Sequence, residues 1–354
     1  MLCRSVDWSS GLNPAIYPFA LLAIRNKLYY GIKPLIPRSL RLGLRSWVTL
    51  QKRELVGHIW PILRGSETAP KDWPGWPDGK EFALVLTHDV ETEQGVCNCK
   101  LLMRLEADLG FRSSYNFIPE GDYRVSKQLR DELTSKGFEV GVHDLYHDGK
   151  LYSSRAGFAE KARRINDYLR DWGAVGFRSG FMLHNLEWLS DLNTLYDSST
   201  FDTDPFEPQP DGVGTIFPFW VPRISHNGEQ NDSGINNGKS EQRLSGYVEL
   251  PYTLPQDSTV FLLLRERHPD IWFQKLDWIA RHGGMALLNV HPDYACFDNS
   301  AGRGEFPVSR YTDLLNYVRA RYPGKFWQAL PREVAAYVSE LNSKGERKSA
   351  APKS

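Results

Sequence analysis

The residues best suited to chemistry follow a short apolar run near the end of the first quarter of the chain. Segment 81–91 reads EFALVLTHDVE, and its strand-forming residues lead into Asp89 and Glu91. A short apolar run of this kind predicts a buried parallel strand, and the carboxyl ends of such strands carry the chemistry in α/β folds. Alternation along the strand puts Asp89 and Glu91 on one face. Two neighbouring carboxylates repel each other unless a cation or a proton lies between them.

Three later segments supply residues that could complete such a centre. His143 and His147 follow a short strand, and their four-residue spacing predicts a helical turn with both imidazoles on one side, a common arrangement for a divalent metal. Arg178 lies at the end of a short apolar segment, and the apolar run MALLNV leads into His291. Two neutral imidazoles with a carboxylate are ligands that suit zinc or a similar divalent ion.

In this order, the four segments resemble the motifs of the polysaccharide deacetylase family, the carbohydrate esterases with the NodB homology domain. That family has an Asp motif after a strand, then His-x-x-x-His, an Arg motif and a final Leu-x-x-His. Here THDVE, HDLYH, FRSGF and LNVH stand in those places. The resemblance covers the region from about residue 80 to about residue 300. It implies an irregular, partly open (β/α)7-type barrel of class α/β and a hydrolase for N-acetyl groups on amino sugars.

The first motif departs from the family pattern. The family commonly has two adjacent aspartates, and this chain has Asp89 and Glu91 separated by Val90, which resembles a divergent Asp-x-Asp subgroup. By this resemblance Asp89 is the general base, and Glu91 joins His143 and His147 as ligands of one divalent ion, for which zinc is the expected metal. An exchange of roles between Asp89 and Glu91 stays open.

The remaining motifs imply the other catalytic roles. His291 would protonate the departing amine, and Arg178 would hold the base ionised by charge pairing. Gly180 stands where the family usually has Pro. The acidic residue that usually orients the last His has no clear match. The candidates are Asp197, Asp202, Asp204, Glu249 and Asp293.

Aromatic residues are frequent between the Arg motif and the next strand. Such rings can stack on a sugar face, and we predict substrate contacts for Phe181, His184, Trp220 and Tyr252. The alternative is a loop that covers the core, because large aromatics serve cores as readily as pockets.

Composition limits the classes of protein to consider. The 354 residues include 43 basic and 43 acidic side chains, so the formal net charge is zero and a general nucleic-acid-binding surface is not expected. The four cysteines do not form a convincing disulfide framework. The length allows one large barrel domain with an appendage.

Composition also divides the chain into regions. Residues 1–79 form an N-terminal basic, helical extension and a linker rich in Pro and Gly, and residues 80–342 form the catalytic barrel. Within the barrel, the polar segment 224–246 is predicted to be a disordered insertion, and residues 343–354 a disordered tail. Alternating strand and helix patterns between these limits indicate parallel β/α units.

The extension has a distinct charge pattern. Residues 12–54 alternate apolar and basic groups, and no acidic residue occurs from Pro14 to Gln51. We expect a helical extension packed on the barrel with its basic side in water, and peripheral contact with a membrane is the alternative. No secretory signal is evident, and the apolar patch from Ala15 to Ile24 is too short to span a bilayer, so a cytoplasmic location is expected.

Three functions are compatible with these features. The first is a metal-dependent N-deacetylase that acts on a glycan or glycan precursor. The second is an amidase for a small cyclic or linear amide, as some members of the broader family are. The third is a non-catalytic glycan-binding relative that kept the fold.

Overall fold

The structure is a computed structural model that describes residues 38–223, 246–298, 300–302 and 304–350. Most of the predicted insertion at 224–246 lies outside these ranges, as do the first part of the extension and the last residues of the predicted tail. The helices are α1 (Arg38–Leu55), α2 (Glu93–Asp108), α3 (Lys127–Ser135), α4 (Arg155–Trp172), α5 (Asp270–His282), α6 (Ser309–Arg321) and α7 (Pro331–Ala350).

The strands are short and alternate with these helices. They are β1 (Phe82–Val90), β2 (Ser114–Phe117), β3 (Glu139–His143), β4 (Gly176–Arg178), β5 (Tyr196–Asp197), β6 (Phe219–Pro222), β7 (Gly246–Glu249), β8 (Met285–Asn289), β9 (Ala295–Cys296), β10 (Phe306–Pro307) and β11 (Phe326–Ala329).

The main sheet curls into a barrel around β1. Its order is β11-β1-β2-β3-β4-β5-β7-β6, and β8 also pairs with β1. All of these pairings are parallel except that of β6 with β7. The backbone N–H groups of Thr253 and Leu254, after β7, donate to the carbonyl oxygen of Leu287 in β8. These bonds bring the last strand to the chain that follows β7, and the predicted partly open (β/α)7-type barrel is confirmed.

Alternation along β1 decides which residues face the barrel interior. Phe82 and Leu84 belong to the apolar cluster that includes buried residues of α2 and α5, whereas Ala83 and Val85 belong to the cluster inside the barrel. All nine residues of β1 are buried. Asp89 is on the same face of the strand as Ala83 and Val85, because it follows Val85 by four positions, and it therefore faces the interior at the carboxyl end of β1.

Local sequence signals explain where the helices begin and end. The hydroxyl groups of Thr92, Ser126 and Ser154 cap the N-termini of α2, α3 and α4 by accepting backbone N–H bonds. Gly173 and Gly283 end α4 and α5 in the left-handed conformation that glycine adopts most easily. The last helix continues past residue 342, the predicted end of the barrel region, to Ala350 and into the segment predicted as a disordered tail.

The part of the extension that the structure describes is helical. Helix α1 packs beside the π-helical turn Ser258–Leu263, where the Ser46 hydroxyl donates to the carbonyl oxygen of Leu263 at 2.7 Å. Among the described residues, no helix is long and apolar enough to cross a membrane.

Candidate active site

Asp89 is held at the barrel mouth by donors from three other strands. Its Oδ1 accepts from Asn116 Nδ2 at 2.9 Å and from Arg178 Nη1 at 3.1 Å, and its Oδ2 accepts from Asn289 Nδ2 at 2.8 Å. Burial alone would raise the pKa of Asp89, but the Arg178 guanidinium and the nearby imidazoles lower it well below its usual range. The carboxylate is therefore ionised and fixed in orientation.

Arg178 is fully buried, and its guanidinium donates to acceptors on other strands and loops of the barrel. Its Nε donates to the Ser198 carbonyl oxygen at 2.7 Å, and its Nη2 donates to the Ser198 hydroxyl at 2.6 Å. Its Nη1 is shared between Asp89 and the Thr87 hydroxyl at 2.8 Å. A buried guanidinium needs such acceptors, and Asp89 is its charge partner.

Glu91, His143 and His147 form a compact group beside this pair. Each offers one ligand atom, and these atoms lie within 4.8 Å of one another. Glu91 Oε1 lies 3.1 Å from His147 Nε2. Burial alone would raise the pKa of Glu91, but the His147 imidazole lowers it well below its usual range, so Glu91 is ionised.

The predicted helical turn between the two histidines is wrong. His143 is the last residue of β3, and the chain after it turns through left-handed conformations at Asp144 (φ 56°) and His147 (φ 55°). This turn brings the two imidazole centroids to 4.9 Å. Non-glycine residues adopt positive φ rarely, and such strain clusters at functional sites.

The donor set suits a divalent metal ion. The Nδ1 atom of His143 lies 3.1 Å from the Arg178 carbonyl oxygen. Because a carbonyl oxygen only accepts hydrogen bonds, Nδ1 carries the proton of the neutral imidazole, and Nε2 keeps its lone pair. The Nε2 atom of His143 is buried and has no hydrogen-bond partner among the described residues. A metal-ligating histidine commonly bonds a backbone carbonyl through its other nitrogen. An ion at this position would satisfy a buried acceptor that is otherwise costly.

His291 also lies next to Glu91, and the carboxylate partner of its ring is Asp257. The Nδ1 atom of His291 lies 2.6 Å from Asp257 Oδ1, and the backbone N–H of His291 donates to Asp257 Oδ2 at 2.8 Å. Burial alone would lower the pKa of His291, but the Asp257 carboxylate outweighs it and raises the pKa to about 10. The Nε2 atom of His291 points toward the site and lies 3.8 Å from Glu91 Oε1.

Contacts therefore connect all six predicted catalytic and metal-binding residues. Asp89 contacts Arg178, whose carbonyl oxygen bonds His143, and the imidazole of His143 lies beside that of His147. Glu91 contacts His147 and approaches His291.

Comparison with solved structures identifies the fold. No family model and no curated protein matches the sequence. The structure aligns with a protein of Mycobacterium smegmatis assigned as a polysaccharide deacetylase, at a TM-score of 0.56 and 16% identity, over 77% of this chain and 96% of that chain. The chain has the fold of the polysaccharide deacetylases.

Two further structures align with lower TM-scores. Peptidoglycan deacetylase PdaC from Bacillus subtilis aligns at 11% identity and a TM-score of 0.42, over 78% of this chain and 100% of that chain. A Bordetella bronchiseptica protein assigned as a polysaccharide deacetylase involved in O-antigen biosynthesis aligns at 18% identity and a TM-score of 0.38, over 77% of this chain and 93% of that chain.

Within this deacetylase fold, Gly180 has a steric reason to replace the expected Pro. A Cβ atom at position 180 would lie 2.6 Å from Asp144 Oδ2 and 2.7 Å from His147 Cδ2. Gly180 also donates its backbone N–H to Asp144 Oδ2 at 3.3 Å, a bond that proline cannot make. The glycine lets the loop pack directly against the imidazole of His147.

The predicted substrate contacts fall in different surroundings. Phe181 lies next to the site, with its ring stacked on that of His147 at a centroid distance of 4.4 Å. The Nδ1 atom of His184 lies 3.0 Å from the Met182 carbonyl oxygen, and the His184 Nε2 atom lies 3.8 Å from Asp211 Oδ2.

The other two predicted contacts belong to the barrel interior. Trp220 is on β6, paired with Val248, and packs against the interior cluster. Tyr252 is 1% exposed, and its hydroxyl lies 2.9 Å from Asp204 Oδ2 and 3.0 Å from Glu207 Oε1. The structure joins both residues to the core by these contacts, and their roles toward a substrate stay predictions.

None of the five acidic residues predicted from the sequence bonds the His291 ring in the described part of the chain. Their partners are Ser199 for Asp197, Lys275 for Asp202, Phe206 and Tyr252 for Asp204, Thr200 for Glu249, and Thr92 and Glu91 for Asp293. Asp257 lies in the segment PQDSTV, where the only signal was an acidic residue before an apolar run. Its place beside His291 depends on barrel closure between β7 and β8, which spacing along the chain does not reveal.

Proposed function

We propose that the protein is a metal-dependent N-deacetylase that removes an acetyl or related acyl group from an amino sugar in a glycan or glycan precursor. The observation that supports this proposal is that an ionised Asp89 and a charged His291 both lie close to the Glu91, His143 and His147 group. The motif resemblance and the shared fold support the reaction class, and the amino sugar is proposed from the same resemblance.

Glu91, His143 and His147 would hold one divalent ion, for which zinc is the proposed metal. Such an ion, when bound, polarises a substrate carbonyl and lowers the pKa of water. Phe181 and Gly180 fix the imidazole of His147 by direct packing.

The hydrogen bonds of Asp89 indicate which of its oxygens acts as base. Oδ1 accepts from both Asn116 and Arg178, whereas Oδ2 accepts from Asn289 alone among the described residues. A carboxylate oxygen can accept about two bonds, so Oδ2 keeps the capacity to accept a proton from water. The nearby Arg178 charge keeps the group ionised before that transfer.

His291 is the proposed general acid. As water adds to the acyl carbon, one of its protons passes to Asp89. The carbon–nitrogen bond then breaks with its electron pair on nitrogen, and His291 delivers the proton that makes the amine a good leaving group. Asp257 holds the imidazole by Nδ1, so that Nε2 is the atom that donates. The products are a free amine and a carboxylic acid.

The test is acetate release from N-acetylglucosamine oligomers by the purified chain after loading with zinc, cobalt or manganese. We expect release that a chelator abolishes. Asp89→Asn should lower turnover by roughly two to four orders of magnitude while metal stays bound. Glu91→Gln should instead weaken metal affinity, and the reverse pattern would mean that the two carboxylates exchange roles.

Small acylated amines belong in the same panel, because they distinguish the alternatives. Hydrolysis of small amides without hydrolysis of any acetylated sugar would favour the amidase. Metal binding or glycan binding without turnover of any acylated amine would favour the non-catalytic relative and contradict the proposed function.

A further inference from the structure

The outer face of helix α1 is apolar, although the inner face of the same helix is polar. The side chains turned inward include Ser46 and Thr49, which are 0% and 6% exposed. On the opposite side, Leu44, Trp47 and Leu55 are 53%, 61% and 76% exposed. An ordinary surface helix has the reverse arrangement, with its apolar stripe toward the core.

The exposed apolar residues lie on one face of α1, which also carries the exposed polar side chain of Gln51. Leu44, Trp47, Val48 and Leu55 recur at the spacing of one helix face, and Val48 is 49% exposed. Together they define the outer stripe of α1. A contiguous exposed apolar surface that contains a tryptophan marks an interaction site rather than a scattered surface residue.

A basic residue borders the stripe, and the one acidic residue in the sequence of α1, the exposed Glu54, stands next to Leu55 at the end of the helix. Arg45 is exposed one turn before Thr49, and Arg41 lies one turn before Arg45 in the same helix. No Asp or Glu occurs from Pro14 to Gln51, whereas the chain as a whole has a formal net charge of zero. The positive charge is therefore concentrated on the segment that carries the apolar stripe.

We propose that the outer stripe of α1 binds the surface of a membrane that contains anionic lipids. A helix that places Trp and Leu on one face beside Arg or Lys is suited to lie in the interface, with its apolar side chains among the acyl chains and its basic side chains at the headgroups. A second copy of the chain fits less well, because a two-fold contact through this stripe would bring the basic residues of both copies together.

The inner face of α1 connects this surface to the active-site side of the barrel. Its Ser46 bonds Leu263, in the π-helical turn that begins directly after Asp257, and Arg53 pairs with Glu266 at 2.5 Å. A membrane bound at the outer stripe would therefore lie on the side of α1 that faces away from these contacts. The proposal is independent of the deacetylase function and would stand if that function failed.

Co-sedimentation of the full chain with vesicles tests the proposal. Vesicles of phosphatidylcholine with phosphatidylglycerol should retain the protein, and vesicles of phosphatidylcholine alone should retain it several-fold less. The double variant Trp47→Gln with Leu55→Gln should bind the anionic vesicles roughly tenfold more weakly, because two apolar anchors are lost. Arg45→Gln should weaken binding to anionic vesicles about fivefold and to neutral vesicles hardly at all.

The matched control is Leu101→Gln, which changes a 43% exposed leucine on α2 and should leave vesicle binding unchanged. Light scattering in the absence of lipid tests whether a second copy of the chain binds the stripe instead. A dimer that the double variant converts to a monomer would assign the stripe to a second copy and overturn the proposal. Equal vesicle binding by wild type and double variant would place the anchor elsewhere, and absence of wild-type binding to either vesicle would also overturn it.

Discussion

At the scale of single residues, the site depends on carboxylates that differ in their partners. Asp89 accepts hydrogen bonds from a guanidinium and two side-chain amides. The carboxylate of Asp257 bonds the backbone N–H and the ring of His291, and it also accepts from the backbone N–H of Ser258 at the start of the π-helical turn. The first environment keeps a carboxylate ionised beside a cation, and the second keeps an imidazole charged. In the proposed reaction, these two environments would suit opposite roles in proton transfer.

Removing the charge of Asp257 should weaken the proposed acid function of His291 while the imidazole itself stays in place. Asp257→Asn should lower the pKa of His291 toward its ordinary value near 6.5, because the amide carries no charge. The alkaline limb of the pH profile of kcat/KM for amide hydrolysis should move to lower pH, and turnover near neutral pH should fall by roughly ten- to a hundredfold. The measurement is kcat/KM against pH, with metal content determined in parallel.

The control for this variant is Asp298→Asn, which changes an exposed carboxylate in the loop after His291. It should leave the profile unchanged. If Asp257→Asn has the profile of the wild type, Asp257 does not set the protonation of His291.

Residue type and spacing predict part of this site and miss the rest for a physical reason. Asp89 lies near the end of β1 and Glu91 directly follows this strand, so alternation alone predicts their shared face. His143 and Arg178 are the last residues of the neighbouring strands β3 and β4, whose register pairs them directly. Asp257 and Asn289 reach the site because β8 joins β1 and the chain after β7, and neither has a periodic signal that reveals this contact.

At the scale of elements, the loops after the strands determine the geometry of the site. The turn after β3 uses left-handed residues where a helical turn was predicted, and the loop after β4 has positive φ at Phe181 (58°) and Met182 (52°). Helical spacing and a strained turn both bring residues at positions i and i+4 together, so the sequence pattern does not distinguish them. Strand ends were predictable from apolar runs, whereas loop conformation depends on contacts such as that between Gly180 and His147.

The hairpin of β6 and β7 allows a test of the predicted insertion. Pro222 pairs with Gly246, so the two ends of the intervening segment are adjacent. Deleting residues 228–243 should change the free energy of unfolding by about 1 kcal/mol or less, since the entropy of loop closure varies slowly with length. Denaturant unfolding of the full chain and the deletion variant measures this, and a loss of several kcal/mol would show that the segment packs on the barrel.

At the scale of the whole molecule, a buried carboxyl group links distant parts of the barrel at the end opposite the site. Glu139 begins β3, accepts from the Tyr196 hydroxyl of β5 at 2.9 Å, and accepts from the backbone N–H of Arg332 in α7 at 3.1 Å. Burial raises the pKa of Glu139 from 4.5 to about 7, although its hydrogen bonds oppose this shift.

This shift predicts a pH dependence of stability. The folded state holds the proton of Glu139 more tightly than the unfolded state. Below pH 4.5 Glu139 is protonated in both states, so its contribution to the free energy of unfolding is fully present there. As the pH rises from 4.5 to about 7, the unfolded state ionises first, and the free energy of unfolding should fall by roughly 3 kcal/mol from this group. Above that range the contribution should level off.

Glu139→Gln removes the titration, so its free energy of unfolding should fall less steeply than that of the wild type between pH 4.5 and 7. Denaturant unfolding at several pH values measures the two slopes. Glu160→Gln, an exposed change on α4, is the control and should follow the wild type. Equal slopes for wild type and Glu139→Gln would contradict the raised pKa.

The proposed function requires Glu91, His143 and His147 to bind one metal ion, and zinc titration of the metal-free protein measures that binding. We expect one equivalent to bind the wild type, and none to bind the double variant His143→Ala with His147→Ala. The thermal unfolding of this variant should stay cooperative, because neither imidazole belongs to the apolar core clusters. His184→Ala is the matched control, since its ring bonds the Met182 carbonyl oxygen, and it should bind one equivalent. Stoichiometric zinc in the double variant, or none in the wild type, would contradict the account.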